Sequence, residues 1–129
     1  MSTLSVATIK SQSTTASTTF QNSNGIVLGV LCVGFGTMDM TTTLELNNSL
    51  RVSSVTDTAV GEVQVNLSTA FPDTDYVVVT GTGLISNTSN STTATDVRNK
   101  TTSSFELQHE DVDSGFTDTD YSMFALYDI

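Results

Sequence analysis

Tryptophan is absent from this chain, and proline, cysteine and histidine occur once each. A lone cysteine forms no intrachain disulfide. Cys32, set in an apolar run, therefore reads as a buried reduced thiol, with an interchain contact as the alternative. One histidine and one cysteine do not make a tetrahedral zinc site, and His109 by itself defines no Ser-His-Asp triad. It falls in an alternating pattern beside Glu106, Gln108 and Glu110, where a solvated strand residue is the plain expectation. Positive charge is equally scarce, with Lys10, Arg51, Arg98 and Lys100 set against 14 acids for a formal charge of -10. Such a surface repels phosphate backbones and anionic headgroups, so neither nucleic acid nor membrane is an expected partner.

Long hydrophobic runs are missing as well. The longest, Ile26 to Phe35, is half of what a bilayer crossing needs and contains two glycines. The first 20 residues are rich in Ser and Thr and show no basic stretch leading into an apolar one. Neither a secretion signal nor a membrane span is expected, and assembly in the cytoplasm fits this.

What is present points to β-structure. The chain has 129 residues, enough for one core, with 14% charged and 37% apolar residues. Ser and Thr make up about a third of it. That composition does not suit a highly charged disordered tail, but it suits strands with hydroxyl-bearing outer faces, because Thr is β-branched. Apolar residues recur at every second position in Leu44 to Leu46, Leu50 to Val52, Val63 to Leu67, Phe105 to His109 and Met123 to Tyr127. Tyr76 to Val79 is a continuous run that predicts a strand buried on both faces. Turn residues lie between these segments, at Asn47-Asn48, Asp57 to Gly61, Pro72-Asp73, Gly81 to Gly83 and Asp113 to Gly115. The fold expected is all-β, a single small antiparallel sandwich or barrel over residues 26–129, preceded by an extended arm over residues 1–25.

The arm carries apolar residues at Leu4, Val6, Ile9 and Phe20, too few for a core of its own, so they read as anchors that dock on a partner. Residues 26–37, glycine-spaced and apolar, read as a buried strand or a seam between copies. Ser86 to Thr95 reads as a polar surface loop.

Residues arranged for chemistry are few. Asp111-Val112-Asp113-Ser114-Gly115 resembles the start of a calcium loop but lacks the later acidic ligand, and reads as a hairpin turn. Phe71-Pro72-Asp73-Thr74-Asp75-Tyr76 is echoed 45 residues later by Phe116-Thr117-Asp118-Thr119-Asp120-Tyr121. Two similar strand-entry turns explain this, with a duplicated ligand site as the alternative. The glycines match no phosphate-binding fingerprint, and no pair of carboxylates is singled out for glycosidic cleavage. No catalytic residue, cofactor or metal is expected, and the chain does not read as an enzyme.

From Leu50 the sequence becomes more specific. Leu50 to Asp57, Val60 to Asp73 and Tyr76 to Val79 resemble a module of phage tail-fibre and virion-decoration proteins that reads N-V-S-S-I-T-D-x-G-x-G-D-Y-T-V-N-F-x-T-A-M-P-D-x-N-Y. The opening Ser2 to Ile9 resembles the S-T-L-K-V-x-T-I start of such proteins. In place of their K-A-W-V-N-F segment stands Leu31 to Phe35, without the tryptophan. The resemblance implies a bacteriophage virion surface protein. One form is a capsid decoration or knob protein whose arm docks on the major capsid protein or another virion protein. The alternative is a tail-fibre or receptor-binding adhesin that uses the Ser86 to Thr95 loop and the Asp111 to Asp120 turn. Homo-oligomers, trimers first, are implied by the same resemblance. The tyrosines, in apolar strand patterns, read as core instead of glycan-binding surface.

Overall fold

A computed structural model describes residues 19–21, 27–83, 93–111 and 115–128. Leu4, Val6 and Ile9 lie outside them. The described residues form strands and connections and contain no helix. A short hairpin of β1 (Thr19–Gln21) and β2 (Val27–Val30) comes first. Thus residues 19–21 of the expected arm, Phe20 among them, pair with residues at the start of the expected domain.

One antiparallel sheet contains β3 (Cys32–Asp39), β4 (Glu45–Leu50), β7 (Val77–Gly83) and β11 (Tyr121–Tyr127), in the order β4-β3-β11-β7. The other contains β5 (Val52–Ala59), β6 (Glu62–Leu67), β8 (Thr93–Arg98), β9 (Ser104–Asp111) and β10 (Gly115–Phe116). In it β9 pairs with β8 along one edge and with β6, then β10, along the other, while β5 flanks β6. The two sheets pack as a small sandwich, as the alternation predicts.

Val63, Val65 and Leu67 of β6, Phe105 and Leu107 of β9, Met38 of β3, and Phe124 and Leu126 of β11 fill the space between the sheets. Each such side chain contributes about 1.5–3 kcal/mol by leaving water. An aromatic chain runs through this core. Phe71 stacks on Tyr76 at 4.1 Å, Phe105 meets Tyr76 edge-on at 6.5 Å, and Phe124 meets Phe105 edge-on at 5.1 Å.

The glycine spacing of β3 has a packing reason. Gly34 and Gly36 face inward, directly opposite Leu126 and Phe124 of β11. A Cβ on Gly36 would lie 2.5 Å from the Phe124 ring, and one on Gly34 would lie 2.9 Å from Leu126. Of the run over residues 26–37, Val27–Val30 form β2 and the part from Cys32 onward forms β3, which is buried on one face only, with β11 supplying the bulk that the glycines lack.

Several local expectations are corrected. Leu50 to Val52 is not one strand, because Arg51 has φ 66 and turns the chain from one sheet into the other. Asn47-Asn48 lies within β4, where the register skips one residue between Thr37 and Met38 and leaves Asn47 unpaired. Gly81 to Gly83 lies within β7, opposite Met123 and Tyr121. Tyr76 to Val79 is not buried on both faces. β7 is an edge strand, and Val77 and Val79 point outward, 38% and 53% exposed. Thr93 to Thr95 of the expected loop begin β8, and residues 86–92 lie outside the described residues. Asp57 to Gly61 does reverse the chain, but Asp57 still belongs to β5 and the bend is at Val60-Gly61. Gly61 has φ 73 and leaves no room for a Cβ, which would lie 2.7 Å from the His109 carbonyl oxygen.

Candidate functional site

His109 is not a solvated residue. It is fully buried, because β9 turns its last residues under the Gly61 bend and against β11. Its Nδ1 lies 3.2 Å from the Gly61 carbonyl, which only accepts, so Nδ1 carries the proton. Nε2 then accepts from the Ser122 hydroxyl at 2.8 Å. Burial holds the imidazole below its ordinary value of 6.5, opposed by the Gly61 hydrogen bond and by the Asp118 charge. Histidine and serine here have the contact of a base and a nucleophile, yet neither is accessible to solvent. The pair links the two sheets through the core. The alternation carries this signal: in a strand His109 shares the face of Phe105 and Leu107, both core residues, and not that of Glu106 and Glu110.

The two aspartate turns serve different ends. In the first, Asp73 Oδ1 accepts from the Asp75 amide at 2.9 Å, and Phe71 and Tyr76 on either side are buried. In the second, Asp118 Oδ1 accepts from the Gly61 amide at 2.8 Å, Thr119 is buried, and Phe116 and Tyr121 are exposed. The sequence echo is not a duplicated site. Among the described residues, no group of three or more His, Cys, Asp or Glu is placed to hold a metal ion. Residues 112–114 of the expected acidic turn lie outside the described residues.

Two of the four bases brace one end of the sandwich. Arg51 donates from Nε and Nη2 to the carbonyls of Thr69 and Ala70, both at 3.0 Å, and lies 3.8 Å over the Phe71 ring. Lys100 donates to the Tyr76 carbonyl at 2.8 Å and lies 4.9 Å from the Tyr76 ring. The Tyr76 hydroxyl lies 2.9 Å from the Thr101 carbonyl oxygen, and burial pushes its pKa up to about 12. Tyr76 is thus core as expected, whereas Tyr121 is 45% exposed.

The surface that stands out is the outer face of the four-stranded sheet. Pairing register sets Leu50, Phe35, Ala125 and Val79 in one row across all four strands, with Asn48, Thr37, Met123 and Gly81 in the next. Tyr127 and Val77 form a third pair beyond them. Leu50, Val79 and Met123 are about half exposed, at 51%, 53% and 45%. These rows contain no charged residue, in a chain of formal charge -10. The charged strand residues Asp39 and Glu45 pair at one end of β3 and β4. Between Phe35, Thr37, Val79, Gly81, Met123 and Ala125 lies an apolar hollow of about 270 Å³. It exists because Ala125 and Gly81 are small while their neighbours are not. Cys32, expected to be buried, is exposed at the end of this sheet, with its thiol 3.0 Å from the Gly34 carbonyl oxygen. The register skips Val33 between Leu126 and Tyr127 and so turns Cys32 out of the core.

No family model matches the sequence. No curated protein matches it either. Among solved structures, the chain is similar to the tailspike of phiAB6, crystallised in complex with three-repeated oligosaccharides of Acinetobacter baumannii surface polysaccharide. The likeness covers 97% of this chain at a TM-score of 0.53 and 13% identity, and spans 30% of the tailspike chain. At that identity it shows a shared fold.

Proposed function

We propose that this chain is a structural protein of the bacteriophage virion surface, a decoration or knob protein assembled in the host cytoplasm and performing no catalysis. Its N-terminal segment, through Leu4, Val6, Ile9 and Phe20, docks on a neighbouring virion protein. The observation that carries the reading is the uncharged apolar face of the four-stranded sheet. The largest apolar patch on a soluble protein is often its association surface, and this one lies in a chain of formal charge -10 yet holds no charged residue along its rows. The resemblance of residues 50–79 to a virion module supports the setting, and the fold shared with a phage tailspike agrees with it.

A receptor-binding or tail-fibre role is the second reading. It is favoured by the neighbour's own complex, since that tailspike was crystallised with a surface oligosaccharide. Immunogold labelling of purified particles separates the two. Label in high copy over the head supports decoration, and label confined to the tail supports the adhesin. Particles free of label overturn the virion reading.

A further inference from the structure

We infer that the apolar outer face of the four-stranded sheet is the seat of residues 1–18 of a second copy of this chain. The inference rests on the docking role proposed above for the N-terminal segment, and it names that segment's partner.

Charge is the first reason. All 14 acids lie at or after Asp39, so residues 1–38 are acid-free and carry one base, Lys10. Two whole bodies of this chain repel one another, whereas the N-terminal segment approaches an acidic body without that penalty. The face it would meet is uncharged along its rows. Apolar matching is the second reason. Leu4 and Val6 are two apart and fall on one side of an extended segment, about 7 Å from each other. That spacing suits a hollow of about 270 Å³ bounded by Phe35, Val79 and Met123.

Reach decides between the chain's own face and a neighbour's. The β1–β2 register places Thr19 beside Val30, two residues before β3, so the segment leaves from the end of its own sheet. Both edges of β3 are occupied by β4 and β11 and its inner side is core, so no further strand can join it there. A seven-residue strand such as β11 spans about 23 Å. Residues 10–18 (KSQSTTAST), nearest the root, are polar apart from Ala16 and extend up to about 30 Å. Running along its own face, the segment would lay this polar stretch on apolar surface and carry Leu4, Val6 and Ile9 past the far end. Leu4, Val6 and Ile9 therefore suit the face of a second copy placed beyond the end of the chain's own sheet.

Area points the same way. Four strands spaced about 4.8 Å apart make a face of roughly 400 Å². That is about half of the ~800 Å² per partner in a standard stable interface. Bare face-to-face pairing falls short, and an exchanged segment adds the remainder.

The test uses full-length chains in sedimentation equilibrium. One variant carries Leu4→Asp, Val6→Asp and Ile9→Asp, and the other carries Val79→Lys and Met123→Lys, positions already half exposed in the fold. The wild type is expected to self-associate, and each variant to do so more than ~30-fold more weakly, as loss of central apolar anchors does. Mixed together, the two variants are expected to regain association, because one keeps an intact seat and the other an intact segment. Circular dichroism spectra matching the wild type establish that both variants are folded. A monomeric wild type, variants that associate normally, or a mixture that stays monomeric would each overturn the inference. Particle labelling is unaffected by any of these results, so the virion reading stands or falls separately.

Discussion

Replacing Gly36 with alanine tests the claim that β3 is thin so that β11 can be thick. The added methyl would sit 2.5 and 2.6 Å from two carbons of the Phe124 ring. The ring has little freedom to retreat, being buried and in edge contact with Phe105 at an interplanar angle of 85°. Overpacking of this kind costs about 1–3 kcal/mol. Against it stands a gain of about 0.5–1 kcal/mol from restricting the unfolded chain, since the glycine lies in a strand. The expected net loss is about 1–2 kcal/mol, or roughly 4–8 °C in Tm for a chain of this size. The assay is urea and thermal unfolding followed by circular dichroism. The decisive comparison is Gly36→Ala combined with Phe124→Leu, where the smaller side chain makes room for the methyl. The double variant should be more stable than the sum of the single losses by about 1 kcal/mol or more. Additive losses, or a Gly36→Ala protein as stable as the wild type, would show that the Phe124 ring does not need the space over Gly36.

His109 predicts a pH dependence. Its folded value lies below 6.5, so the unfolded chain binds the proton more readily, and stability is full above 6.5 and falls as pH drops through the folded value. Denaturation midpoints at pH 7.5 and 5 should separate more in the wild type than in His109→Gln; equal separations would remove His109 as the cause. At Arg51, alanine should destabilise by about 1–2 kcal/mol through loss of two carbonyl hydrogen bonds and the contact with Phe71. Glycine at the same position should cost about 1 kcal/mol less than alanine, since φ 66 strains alanine and not glycine. Urea midpoints that rank alanine above glycine would contradict this account of the turn.

Much of the fold was legible because strand alternation is a local property. Val63, Val65 and Leu67 point inward for the reason visible in their spacing, whereas the continuous apolar run Met123 to Tyr127 left the inward face open, and the structure turns Phe124 and Leu126 in and Tyr127, read as core, to the outer face. The anchors proposed at Leu4, Val6 and Ile9 rest on sequence, since they lie outside the described residues, while Phe20 falls in β1. The site was not legible in the same way. A row such as Leu50, Phe35, Ala125 and Val79 draws its members from four strands widely separated in the chain, and only the pairing register aligns them.

Composition and alternation by themselves determined an all-β chain with one core, poor in positive charge, because they depend on residue types and nearest spacings. Tertiary structure alone decided what each ambiguous residue does. Val77 and Val79 are exposed because no other part of the described chain covers the outer face of their sheet, which leaves Met123 of the internal strand β11 exposed as well. For His109 alternation with Phe105 and Leu107 already set the inward side, and tertiary structure decided its partners, the Gly61 carbonyl and the Ser122 hydroxyl. Cys32 is turned out by one skipped residue in a register that only the pairing with β11 sets. In each case the deciding contact is with a residue distant in the chain, and a one-residue change in strand register moves a side chain from core to surface.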